Sequence, residues 1–301
     1  MLIIVITMRN LIVKIAIASG KGGTGKTFIS TNLFNVLQKQ EMNLALVDCD
    51  AEEPNAKLFL TEGKLKNTYE VNQKVPVVDE SKCTYCGKCA EYCNYNAIFF
   101  LKEAKVINVL EDLCHGCGAC SVACSYSAIS EKNNLLGYVN TFEFSPKSAL
   151  IEARIKVGVY SSVNVIKAAI KKASDFNLVL FDAPPGTGCP FIQTVVQADY
   201  VVLVTEPTPY GLSDLKQSIE TLKGMNKSYG VIINKAGLGD EKIYDYLNKE
   251  NIPLLMSVPF DKNIAVSYSK GELLTDLNSE WEEKFSQLYN TIREEYGNSS
   301  N

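Results

Sequence analysis

Eight of the ten cysteines in this 301-residue chain fall between Cys83 and Cys124. They form two runs of one spacing, C-x2-C-x2-C-x3-C. Thiols this dense either pair as disulfides or hold metal, and the compartment decides between the two. The apolar opening, residues 1–7, is too short for a secretory leader and lacks a basic segment and a small-residue cleavage site. Met8 is an alternative start. No apolar run reaches the roughly 18 residues that span a bilayer. A reducing cytoplasm and metal-binding cysteines are therefore expected. A second chemical signal is Gly20-Lys-Gly-Gly-Thr-Gly-Lys26-Thr27, which fits G-x4-G-K-[ST]. Its glycines let successive amides face phosphate oxygens, Lys26 reaches the β and γ phosphates, and the Thr27 hydroxyl ligates Mg2+.

These residues need elements to hold them. The run from Leu11 to Ser19 is nearly all apolar, as in a strand buried on both faces of a parallel sheet, and Phe28 to Gln40 keeps helical spacing. The glycine loop thus lies between a strand and a helix. Further buried strands are read at Leu44 to Val47, Leu178 to Phe181, Tyr200 to Val204 and Val231 to Ile233, separated by helix-length polar segments. The pattern is interrupted between Val78 and Asn133 by an internal repeat. Cys83-Thr-Tyr-Cys-Gly-Lys-Cys-Ala-Glu-Tyr-Cys93 aligns with Cys114-His-Gly-Cys-Gly-Ala-Cys-Ser-Val-Ala-Cys124, and each copy runs on to Ala-Ile. A unit so short needs a staple beyond its hydrophobic core. Leu135 to Val159 reads as a strand pair returning to the main sheet. The expected boundaries are 1–78 and 134–301 for the two parts of the main domain, with 79–133 inserted.

Composition narrows the chemistry. Hydrophobic residues make up 46% and charged residues 21%, an ordinary globular balance, and the formal net charge of −4 argues against nucleic acid as a partner. His115 is the only histidine, which argues against a histidine-based triad or metal hydrolase.

Gly20-Lys21-Gly-Gly resembles the deviant phosphate loop of the MinD/ParA superfamily of P-loop ATPases, in which the early lysine crosses a dimer interface. The resemblance assigns that role to Lys21. Asp48-Cys-Asp50 is similar to the superfamily's switch I, which implies that Asp50 sits beside Mg2+ and orients the attacking water. Leu178-Val-Leu-Phe-Asp182-Ala-Pro-Pro-Gly186 resembles its Walker B and switch II, with Asp182 holding Mg2+ through water. Asn234-Lys235 and Val258-Pro259-Phe260 resemble base-recognition segments, Asn234 for adenine and Pro259 in the flanking loop. The implied nucleotide set is Gly20, Lys21, Gly22, Gly23, Thr24, Gly25, Lys26, Thr27, Asn234 and Pro259. Lys21, Lys26, Asp50 and Asp182 act in catalysis, and Thr27, Asp50 and Asp182 serve Mg2+. Positioning and electrostatics carry phosphoryl transfer, so no strong base is needed.

Each cysteine run matches the bacterial ferredoxin signature for a [4Fe-4S] cluster. The implied sets are Cys83, Cys86, Cys89 with Cys124, and Cys114, Cys117, Cys120 with Cys93; two structural zinc sites are the competing reading. The proline usual after the fourth cysteine is Asn94 in one run and Ser125 in the other. Cys49 reads as a buried small hydrophobe. Cys189, shortly after switch II, is either an interface cluster ligand, as in the related nitrogenase iron protein, or a packed or free thiol.

Together the motifs resemble MinD/Mrp-type P-loop ATPases carrying an inserted two-cluster ferredoxin domain. The expected fold is α/β, a doubly wound and mostly parallel P-loop NTPase sheet with a small α+β insertion. The expected cofactors are ATP, Mg2+ and two [4Fe-4S] clusters. The leading functional reading is an ATP-gated carrier of low-potential electrons, dimeric with itself or with a related ATPase, that serves a redox partner. An Mrp-type scaffold delivering clusters to apoproteins is the second reading. A MinD-like spatial organiser is the third. The apolar face Trp281, Phe285, Leu288, Tyr289, Ile292 is expected to dock on the protein's own core, with no stable membrane insertion.

Overall fold

The structure, a computed structural model, describes residues 13–299. The expected strand onset at Leu11 and the alternative start at Met8 lie outside them. The chain runs β1 (Val13–Ala18), α1 (Lys26–Lys39), β2 (Leu44–Asp48), α2 (Ala56–Phe59) and β3 (Lys64–Val78). The cysteine region follows with α3 (Lys88–Glu91), β4 (Ile98–Leu101), β5 (Val106–Val109) and α4 (Ala119–Ala123). It returns through β6 (Ile129–Ser145), β7 (Ser148–Ile155), α5 (Val163–Lys172), β8 (Leu178–Asp182) and α6 (Cys189–Val195). The rest is β9 (Tyr200–Thr205), α7 (Pro209–Gly224), β10 (Ser228–Ala236), α8 (Lys242–Lys249), β11 (Leu254–Pro259), α9 (Lys262–Ser269), α10 (Leu274–Leu277) and α11 (Ser279–Ser299).

One nine-stranded sheet has the order β11-β10-β9-β1-β8-β2-β7-β6-β3. Its first seven members are parallel, and β6 runs antiparallel to both β7 and the edge strand β3. Successive side chains of β1 point to opposite faces. Ile15 and Ile17 therefore join a core with Leu33 and Leu37 of α1 and Phe285 of α11, whereas Ala16 and Ala18 join one with Ile166 of α5 and Phe191 of α6. Register then fixes the site. Asp48 and Asp182 are paired partners at the carboxyl ends of β2 and β8, and Asp182 is also level with Ile17 of β1, just before the glycine loop.

The inserted region stands on a long arm. β3 pairs with β6 from Lys64↔Glu143 to Val78↔Ile129, but β6 meets β7 only from Gly137 onward, so the outer halves of both strands project beyond the main sheet. Residues 79–128 close the arm around the small hairpin β4–β5 and a core of Cys89, Ile98, Ile107 and Cys120. The sequence repeat is also a backbone repeat. Tyr85 and Gly116, Gly87 and Gly118, and Asn96 and Ser127 all take left-handed φ at matching positions. In each copy the fourth cysteine sulfur accepts a backbone N–H, from Ala97 to Cys93 and from Ala128 to Cys124, both at 3.3 Å.

Helix α11 packs its apolar face inward, with Trp281, Phe285, Leu288, Tyr289 and Ile292 all buried. No helix among the described residues is long and apolar enough to cross a membrane. Because Phe285 is 0% exposed, Phe285→Ala should cost about 3–5 kcal/mol of stability. The check is a lowered midpoint in denaturant unfolding at an unchanged slope.

Candidate functional site

The loop after β1 reaches α1 through Gly25, whose φ of 98° places it in the left-handed region. A Cβ there would also lie 2.3 Å from the Asn234 Nδ2, so both backbone conformation and space demand glycine. Asn234, near the end of β10, donates that amide to the Thr24 carbonyl at 2.8 Å. Asn234 and Pro259 line a cleft of about 260 Å³ together with Gly23, Gly25, Phe28 and Tyr268. A planar ring fits a cleft with such apolar walls, and Gly23 and Gly25 bring the glycine loop into its lining.

Lys26 is buried, and three carboxylates face it. Burial is the largest influence and lowers its pKa, against the attraction of Asp182, Asp50 and Asp48. The carboxylates differ in how they are satisfied. Asp48 accepts from the Asp50 N–H at 3.1 Å and the Ala56 N–H at 3.0 Å, which ties down the loop between β2 and α2. Both Asp182 oxygens are buried without a hydrogen-bond partner, as is the Thr24 hydroxyl. Burial pushes Asp182 up to about 6, and the Lys26 charge is the largest influence opposing it. Burial likewise pushes Asp48 well up, and neighbouring Asp182 adds to it. A buried carboxylate with empty acceptor sites beside a Lys26–Thr27 pair is the donor chemistry that hydrated Mg2+ uses. The residues present fit that ion and a nucleotide triphosphate.

Lys21 occupies a place its spacing did not reveal. Its ammonium bonds Glu206 at 2.5 Å within the same chain, and Lys235 bonds the other oxygen of Glu206 at 3.0 Å. Burial raises the Glu206 pKa, but the two lysine hydrogen bonds outweigh it and leave the carboxyl below its ordinary value. Glu206 lies in Thr205-Glu-Pro-Thr208, and its partnership with both lysines depends on β9 lying between β1 and β10. That pairing is non-local and left no periodic signal in the sequence.

The cysteines surround two separate cavities. One is lined by Cys93, Cys114, Cys117 and Cys120, with Tyr95, His115 and Glu131. The other is lined by Cys83, Cys86, Cys89 and Cys124, with Val78, Tyr126 and Ile129. Each cavity thus draws three cysteines from one run and the fourth from the other. His115 does not point away alone; its ring stacks on Tyr95 at 3.8 Å between centroids. Burial raises the Cys89, Cys114 and Cys120 thiols above their ordinary value. Among the described residues no three His, Cys, Asp or Glu side chains converge as they would on a single ion. Cys49 is fully buried, its thiol pushed well up by burial, whereas Cys189 is exposed at the start of α6.

The sequence model of the CobQ/CobB/MinD/ParA nucleotide binding domain matches residues 15–274. The chain belongs to that family. Within it, an uncharacterized protein of Methanocaldococcus jannaschii is 36% identical over 95% of this chain and 98% of its own length. An iron-sulfur cluster carrier protein of Methanococcus maripaludis is 22% identical over 93% of this chain and 84% of its own. Among solved structures, the septum site-determining protein MinD of Pyrococcus horikoshii with Mg-ADP superposes with a TM-score of 0.54 at 20% identity, covering 92% of this chain and 93% of that one. The family match includes the phosphate loop, both aspartate-bearing strand ends and the Asn234 strand, so this CobQ/CobB/MinD/ParA member is a nucleotide-binding P-loop protein.

The charge on Asp182 gives a pH dependence. Its folded pKa of about 6 lies above the unfolded value of about 3.9, so the folded chain binds the extra proton between those limits. This group therefore adds stability to the nucleotide-free protein as pH falls through 6 and loses it as pH rises. Protons and Mg2+ compete for the same oxygens, so Mg2+-dependent nucleotide binding should weaken below pH 6. Asp182→Asn should remove this contribution to acid stabilisation and cut ATP hydrolysis by about 100-fold, measured by unfolding across acid pH and by phosphate release.

Proposed function

We propose that this chain is an ATP-hydrolysing, ATP-gated carrier of low-potential electrons in the cytoplasm, with two [4Fe-4S] clusters in the inserted domain (79–133) between the two parts of the ATPase (1–78 and 134–301). The observation that carries the reading is the pair of cavities, each framed by four crossed cysteines. A single tetrahedral zinc requires four sulfurs converging at about 2.3 Å from one point. Sulfurs spread around a cavity suit a polynuclear cube better, with Cys83, Cys86, Cys89, Cys124 for one and Cys114, Cys117, Cys120, Cys93 for the other. When bound, such clusters supply one-electron redox chemistry at potentials typically near −400 mV.

The ATPase residues divide the work. The amides of the Gly20–Gly25 loop and Lys26 hold the phosphates, Thr27 and Asp182 position Mg2+, and Asp50 orients the attacking water. Asn234 and Pro259 frame the base. Lys21, released from Glu206, reaches the nucleotide of a second subunit, either another copy or a related ATPase. ATP then gates docking with the redox partner. A cluster-carrier role is the second reading, favoured by the similarity to iron-sulfur cluster carrier proteins and by the exposure of Cys189. A labile third cluster would then bridge two subunits at Cys189.

Protein purified without oxygen should be brown and hold about eight irons per chain, or about ten if Cys189 shares an interface cluster. Colourless, zinc-bearing material would overturn the reading. EPR with and without an ATP analogue, and the rate of electron transfer to a low-potential dye, test the gating. If neither responds to nucleotide, the carrier of electrons is excluded. Cys189→Ala separates the two roles, because only a cluster-delivering protein should lose iron and transfer activity from that change.

A further inference from the structure

The two cysteine cavities stand in series along the arm. Cys83, Cys86, Cys89 and Cys124 lie with Val78 and Ile129 at its tip, whereas Cys93, Cys114, Cys117 and Cys120 lie with Lys74, Pro76 and Glu131 nearer the main sheet. The nearer loop rests directly on β3. A Cβ at Gly116, where φ is 64°, would come within 2.7 Å of Gln73 Cγ and 2.9 Å of the Lys74 carbonyl. Gln73 then joins this loop to the body through both ends of one amide. Its Nε2 donates to the Cys114 carbonyl at 2.5 Å, and its Oε1 accepts from the Asn164 Nδ2 at 3.1 Å.

Asn164 lies in the first turn of α5, and α5 leads back to the nucleotide. Val165, Ile166 and Ala169 of α5 share a core with Phe191 and Val195 of α6, and α6 starts at Cys189, directly after the Asp182–Gly188 loop. The root of the arm is tied to the other nucleotide loop. The Ala51 carbonyl, next to Asp50, accepts from the Ile155 N–H at 2.9 Å, and the Leu136 carbonyl accepts from the Lys156 N–H at 2.8 Å. Leu136 falls where the β3–β6 register shifts, between Val71↔Gly137 and Asn72↔Leu135. A bulge of this kind bends the strand and sharpens its local twist, setting the angle at which the arm leaves the sheet.

We infer that Gln73 is a positioning residue that transmits nucleotide state from α5 to the Cys114–Gly118 loop, and so acts on the nearer metal site and not the distal one. The inference rests on the proposed function for what that loop holds. An amide carries its donor and its acceptor on separate atoms of one rigid planar tip, so Gln73 can hold two partners at once. Movement of α5 by about 1 Å carries a 3.1 Å bond beyond hydrogen-bonding range. Gln73 must then either follow Asn164 or stay with Cys114, and the loop feels the difference.

The test is amide hydrogen exchange on the full-length, anaerobically purified protein with and without AMP-PNP. In the wild type, residues 114–118 should change exchange rate by about fivefold on nucleotide binding, the scale of one hydrogen bond. Gln73→Leu removes both bonds, Gln73→Glu keeps the acceptor but loses the donor, and Asn164→Ala cuts the link from the body at an exposed position. All three should abolish the response at 114–118 while AMP-PNP still protects residues 20–27, and the EPR signal of the reduced protein should lose its nucleotide dependence. A wild type without any response at 114–118, or variants that keep it in full, overturns the inference. Zinc-bearing protein that nonetheless shows the response would sink the electron-carrier reading alone, so the two failures are distinguishable.

Discussion

Hydrogen bonds run along both edges of β7, to β2 on one side and β6 on the other, and they make the nucleotide-binding sheet and the cysteine-bearing arm one continuous backbone lattice. Strand β2 ends at Asp48, and β7 pairs with it residue for residue up to Asp48↔Glu152. Glu152 is itself buried and held by Asn140 of β6 and by Arg154. A charge buried with its hydrogen bonds satisfied is rigid, because any shift leaves it unpaired at a cost of several kcal/mol. The strands at the root of the arm therefore cannot slide freely against the strands that carry the aspartates.

The carboxylates of the nucleotide site stand in a high-energy arrangement. Two aspartates end neighbouring strands in matched register, both are fully desolvated, and the Asp182 carboxylate oxygens have no hydrogen-bond partner. A protein tolerates such a feature when a ligand is its natural partner. Lys26 offsets part of the repulsion, yet its own burial lowers its affinity for the proton that makes it useful. Lys21 and Lys235 lie outside this pocket of charge and divide one carboxylate, Glu206, between them.

The parts of this architecture that depend on local spacing were legible in the sequence. The strand, glycine loop and helix at Gly20 to Thr27 need only eight residues in order, and the strand-end aspartates announce themselves by the apolar runs before them. The C-terminal helix shows its inward face through Trp281, Phe285 and Ile292. What was not legible depends on pairing between distant segments. β3 carries few apolar residues and is mostly exposed, so nothing in Lys64 to Val78 marks it as half of a 15-residue arm. The role of Glu206 required β9 beside β10, and the Asn164–Gln73–Cys114 contact joins three segments at sequence separations of 91 and 41 residues. Side-chain amides in such contacts look like any solvated Asn or Gln until the backbone brings them together.

The crossing of the two cysteine runs has its own consequence. Each cavity takes its fourth sulfur from the opposite copy of the repeat, so under the proposed occupancy whatever fills one site also tethers the cysteine run that supplies three ligands of the other. Assembly of the first inorganic centre prepays the chain ordering of the second, and a partly loaded population should divide into full and empty molecules with few in between.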